Sequence, residues 1–83
     1  MLKMIRRLFS ADPIDVFVRE RVAASGGSTV TLNDLYVAYR RWSEAKRWEP
    51  ETMPEFSRAM HLQGIRKEKI GGRVRYFDIA LRP

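Results

Sequence analysis

Four cations flank one short turn. Lys67 and Lys69 precede Gly71-Gly72, and Arg73 and Arg75 follow it. Ammonium and guanidinium groups grouped this way suit one kind of chemistry, the neutralisation and hydrogen bonding of phosphate oxygens. Gly-Gly between two alternating runs signals a two-residue hairpin. Pairing of the strands then brings the four bases within one Debye length, about 10 Å at 0.1 M salt. Like charges that close destabilise a hairpin by roughly a few tenths of a kcal/mol per opposed pair. Their clustering therefore points to a phosphate backbone as partner. The plainer reading is a strand edge that uses lysine against aggregation, but that device does not require the arginines.

A second group, Ser57, Arg58 and His61, falls on the polar side of a predicted helix whose other side carries Phe56, Ala59 and Met60. Polar and basic side chains on a helix beside a basic hairpin can approach base edges. The same residues also suit an ordinary solvent-facing surface. His61 is the only histidine and there is no cysteine, so the composition offers no metal-ligand set and no disulfide framework. No nucleophile stands at a definable spacing from a base. The acids sit mostly at helix starts or beside bases, as caps and ion pairs. The expectation is a chain without catalytic residues, metal or cofactor, and therefore not an enzyme.

The charge is unevenly spread. The formal net charge is +6. From Ile65 to Pro83 there are six basic residues and two acids, net +4, whereas Trp48 to Gly64 carries three acids and one base. A basic chain with its charge concentrated at one end favours a polyanionic partner. The absence of cysteine suits a reducing cytoplasm, and no run is apolar enough to predict a membrane span or membrane partner.

The length of 83 residues allows a single domain. Residues 1–10, MLKMIRRLFS, read as a short amphipathic segment and 11–83 as the domain proper. Asp12-Pro13 starts a first helix with Ile14, Phe17, Val18 and Val22 on one face. Ser25-Gly26-Gly27-Ser28 is expected to stop it as a loop, leaving Thr29-Val30 as a very short strand. Thr31 caps a second helix, with Leu32, Leu35, Tyr36, Tyr39 and Trp42 on one stripe. Aromatics at helical spacing are core before they are base-stacking platforms. Thr52, Pro54 and Glu55 start the third helix, and Gly64 ends it. Ile65–Ile70 and Arg73–Leu81 are the two strands of the hairpin. Val74 and Tyr76 share one parity, Ile79 and Leu81 the other, so a bulge near Phe77-Asp78 is needed for all four to face the core. The fold expected is α+β, a winged helix-turn-helix of three helices and a C-terminal two-stranded β-wing.

The run Asp12-Pro13 and Phe17, Leu35-Tyr36, Ala38-Tyr39, Trp42, Pro54, Phe56, Met60, Gly64-Ile65, Gly71-Gly72, Tyr76, Ile79 and Leu81 resembles the carboxy-terminal winged-helix domain of phage and plasmid primase-helicases, the poxvirus type included. The resemblance spans about residues 12–81. It implies a winged-helix fold and a DNA-binding accessory role in replication, in a phage, plasmid or mobile element. Asp78 stands where that pattern often has glycine, and no ATPase or primer synthesis is implied. The expectation is phosphate contact with duplex DNA through Lys67, Lys69, Arg73 and Arg75, with Ser57, Arg58 and His61 nearest the bases. The alternative is a winged helix that docks on a replication protein or other protein partner, such as a phage-encoded modulator of a host complex.

Overall fold

In a computed structural model, residues 12–83 are described. The amphipathic segment expected over 1–10 lies outside them. The elements run α1 (Pro13–Arg21), β1 (Val22–Thr31), α2 (Leu32–Ala45), α3 (Met53–His61), β2 (Lys67–Ile70) and β3 (Arg73–Leu81). Among the described residues the class is α+β, with three helices on an antiparallel sheet. The sheet has three strands in the order β1-β3-β2, not the two expected.

Each helix begins where its side-chain chemistry directs. Asp12 Oδ1 accepts from the Ile14 N–H at 2.9 Å, and Pro13 follows at the first helical position. Thr31 Oγ1 accepts from the Asp34 N–H at 3.1 Å. At α3 the Thr52 hydroxyl accepts from the Glu55 N–H while the Glu55 carboxylate accepts from the Thr52 N–H, a complete capping box. Hydrogen bonds from the Thr52 hydroxyl and N–H hold the Glu55 carboxyl below its usual range.

The first helix ends four residues earlier than the Ser25–Ser28 stop signal. Val22 is already extended, with φ −118° and ψ 131°, and it pairs with Leu81. The run that looked like a loop is the middle of a strand. Ala23 and Ala24 pair with Ala80 and Ile79, more than fifty residues away, while Ser25–Ser28 bulge from the ladder between Ala24 and Thr29, so no local propensity announces the strand.

The bulge expected near Asp78 is present. Ala24 pairs with Ile79 and Thr29 with Phe77, so four residues of β1 stand opposite Asp78 alone. Asp78 adopts φ 63° and Gly27 φ 85°, and the Gly27 N–H donates to Asp78 Oδ1 at 3.0 Å. Aspartate is among the few non-glycine residues that tolerate the left-handed region, and here its carboxylate ties this turn of β3 to β1 across the sheet. The extra turn of phase lets Tyr76 and Ile79 both face inward, 0% and 7% exposed.

The core gathers Ile14, Phe17, Leu35, Tyr39, Trp42, Phe56, Met60, Tyr76 and Ile79 with Val22 and Val30. Phe56 stacks on Tyr39 at 4.8 Å between centroids. Phe17 meets Tyr39 edge-on at 5.6 Å and Trp42 at 5.6 Å. Tyr36 is partly buried and packs on Phe56 at 5.5 Å. Trp42 also donates its indole N–H to Glu20 Oε1 at 3.0 Å, which is the main cause that lowers the Glu20 carboxyl below its usual range. Lys46 lies 3.4 Å from the same carboxylate and over both Trp42 and Trp48.

Trp42→Ala removes an aromatic shared by α1 and α2 and leaves Glu20 without its indole donor. A loss of about 3–5 kcal/mol is expected, the range for large aromatic truncations, measured by urea denaturation. An unchanged midpoint would show that this residue is not central to the core.

Candidate nucleic-acid interface

Phe56 and Met60 point into the core one helical turn apart, both 0% exposed. That anchors α3 and turns Arg58 and His61 out to solvent, with Ser57 half-buried at the boundary. The connector before α3 is held by two phenols. The Tyr39 hydroxyl accepts from the Glu51 N–H at 2.9 Å, and the Tyr36 hydroxyl donates to the Glu51 carbonyl at 2.8 Å. After α3, Gly64 takes φ 76° and sends the chain into β2.

The hairpin turn is built as expected. Gly71 and Gly72 have φ 59° and 82°, and positive φ at both central positions is the requirement of a type I′ turn. The register pairs Lys67 with Tyr76, Glu68 with Arg75, Lys69 with Val74 and Ile70 with Arg73. No base stands directly opposite another base. The like-charge repulsion expected of the four bases is thus largely avoided, because each of them meets an apolar, aromatic or acidic partner.

The register also divides the four bases between two faces. Side chains of directly paired residues share a face. Lys67 and Lys69 lie on the side of Tyr76 and Val74, which is the helix side. Arg73 and Arg75 lie on the reverse. Ser57, Arg58, His61 and Leu62 line one open concavity together with Lys67. Here the structure joins four of the seven expected residues. Arg73 and Arg75 line a different concavity, with Thr31, Leu32, Asn33, Asp34 and Met53 at the starts of α2 and α3. Lys69 is exposed on β2 and lines neither.

Two local reasons for these residues compete with a binding role. Arg58 and His61 occupy the last turn of α3, where positive charge complements the helix dipole. The Tyr76 hydroxyl is buried with no hydrogen bond of good geometry. Burial pushes the Tyr76 phenol up, and the Ser57 hydroxyl beside it offsets part of that effect. Ser57 thus faces a core group as well as solvent.

Sequence reasoning passed over three residues that the structure makes prominent. The Arg66 guanidinium lies 4.3 Å from the centroid of Phe77. Leu62 is 83% exposed inside the concavity that Arg58, His61 and Lys67 share. The Arg66–Phe77 pair was accessible in principle, because counting outward from a two-residue turn at Gly71-Gly72 sets residue 66 opposite residue 77. The exposure of Leu62 has no comparable signal, since one leucine after a helix reads as a packing residue.

No family model matches the chain, and no curated protein matches it.

An unpaired buried hydroxyl costs roughly 1–3 kcal/mol relative to a paired one. Tyr76→Phe removes it without changing the ring that fills the core. The variant should be neutral to about 1 kcal/mol more stable by urea denaturation. A loss of stability would reveal that the Ser57 hydroxyl makes a working hydrogen bond to Tyr76.

Proposed function

We propose that this chain is a winged-helix protein that binds duplex DNA, with α3 and the helix side of the β2–β3 hairpin as one contact surface. The order helix, strand, helix, helix, hairpin supports the winged-helix reading. The observation that carries the functional reading is the shared concavity of Ser57, Arg58, His61 and Lys67, in a chain of net charge +6. A helix of nine residues that packs one side on the core through Phe56 and Met60 and leaves Arg58 and His61 exposed on the other is narrow enough for a major groove about 12 Å wide. Lys67 and Lys69 then reach the flanking phosphates, and Arg58 and His61 the base edges. Glu55 at the start of α3 is a carboxylate held ionised by Thr52. It would disfavour a phosphate there and would angle the helix so that its last turn enters the groove. An accessory role in the replication or regulation of a phage, plasmid or mobile element rests on the family resemblance.

The exposure of Leu62 favours a second reading, docking of the same face on a protein partner. A large apolar side chain, 83% exposed and lining the candidate site, suits a protein interface as readily as a base pair.

Binding isotherms for random duplex at three salt concentrations separate these readings. Lys67→Ala with Lys69→Ala should weaken binding to all sequences alike. It should lower the slope of log K against log salt by about 0.9 per lost contact. Arg58→Ala with His61→Ala should change sequence preference more than the slope. Wild-type protein that shows no salt-dependent binding would defeat the duplex reading and favour the protein partner.

A further inference from the structure

We infer that the reverse face of the sheet is a second nucleic-acid surface, one that takes a single strand by stacking a base on Arg66 and holding its phosphate with Arg75. This inference does not depend on the duplex reading, since neither Arg66 nor Arg75 lines the concavity of Ser57, Arg58, His61 and Lys67.

Three strands meet on this face. Thr29 of β1 pairs with Phe77 of β3, and the Phe77 N–H donates to the Arg66 carbonyl just ahead of β2 at 2.9 Å. Phe77 is outside the buried cluster that Tyr76 and Ile79 join, because the strand alternation turns it away. The Arg66 guanidinium covers its ring. Nε and Nη2 of Arg66 both donate to Glu68 Oε2, at 3.2 and 2.9 Å. The side chain of Arg66 stays 62% exposed.

A guanidinium is planar and has two faces. One face of Arg66 rests toward Phe77, and Glu68 fixes its in-plane rotation. With the side chain 62% exposed, the guanidinium remains open to a base on the side away from Phe77. The Glu68 bridge and the Phe77 contact restrict the side chain in the free protein, which lowers part of the usual entropic cost of binding. Glu68 also offsets its charge, so Arg66 is better suited to stacking than to phosphate clamping. Bases splayed from a single strand stack on arginine planes and on aromatic rings.

Arg75 supplies the charge. It lies two residues from Phe77 on β3, about 6.8 Å along the strand, within the reach of one nucleotide. Its Nη1 donates to Thr29 Oγ1 at 3.0 Å, which holds the group against the sheet with further N–H groups still to donate.

Breadth argues for a single strand over a duplex. Three strands about 4.8 Å apart span about 10 Å before side chains are added. With side chains the face is too wide for a major groove of about 12 Å, which admits a helix or a two-stranded ribbon. A duplex also keeps its bases stacked on one another and has none to lay on the guanidinium.

The test is fluorescence anisotropy of the full chain with labelled oligothymidylate, oligouridylate and random duplex. Arg66→Ala with Arg75→Ala should weaken single-strand binding about tenfold or more and leave duplex binding and thermal melting unchanged. Arg66→Lys keeps the charge but loses the plane, and should lose most of the single-strand affinity contributed by Arg66. Saturating unlabelled duplex should not displace the labelled single strand. Tighter binding of the oligothymidylate or of the oligouridylate identifies DNA or RNA as the source of the strand. The inference is overturned if neither strand binds, if Arg66→Lys binds like wild type, if duplex fully displaces the strand, or if an acidic peptide such as oligoglutamate competes as well as the strands do.

Discussion

A strand has a side-chain period of two, and β3 has to place both Tyr76 and Ile79 in the core. These demands conflict over a three-residue interval. The conflict is resolved at Asp78, whose left-handed backbone removes one residue from the alternation. Ser25-Gly26-Gly27-Ser28 forms the matching excursion on β1, tied back by the Gly27 N–H to the Asp78 carboxylate. Without that shift one half of β3 would turn its apolar set to solvent. Both ends of β1 would lose their place with it, since Val22 and Val30 are buried on either side of the bulge.

The aromatic cluster builds on this sheet. Phe17, Tyr39, Trp42 and Phe56 come from three helices and lie within ring-contact distance of one another. Edge-on and offset contacts of this kind are directional, so they fix the relative setting of the helices as well as contributing burial. The two phenols of α2 then grip the backbone of Glu51. That grip sets where the connector ends and α3 begins. The outward side of α3 is thereby a consequence of core packing, not of anything in its polar residues.

The two faces of the hairpin follow from the same geometry. A single strand cannot present successive residues to one partner, so β3 sends Val74 and Tyr76 toward the helices and Arg75 and Phe77 away. Lys67 extends the surface of α3 from across the ladder, while Arg66 and Arg75 are committed to the reverse face. The charge cluster that looks continuous in the chain is two clusters in space. Their different neighbours, the outward side of α3 on one side and Thr29, Phe77 and Arg66 on the other, underlie the two binding modes proposed.

Local chemistry determined much of this protein by itself. Asp12-Pro13, Thr31 and the Thr52–Glu55 box each satisfy orphan N–H groups within a few residues of themselves, so the helix starts are written in the chain. The Gly71-Gly72 turn is likewise local, and the aromatic stripe of α2 follows from helical period alone. Even the need for a bulge at Asp78 could be read from the parity of Val74, Tyr76, Ile79 and Leu81. Tertiary structure alone decided the rest. That the chain from Val22 to Thr31 crosses the sheet, with Ser25–Ser28 as a bulge and not a free loop, depends on pairing with β3, some of it more than fifty residues distant. Which cations stand together depends on the hairpin register and on where the core holds α3. Both are long-range outcomes, and spacing along the chain measures neither.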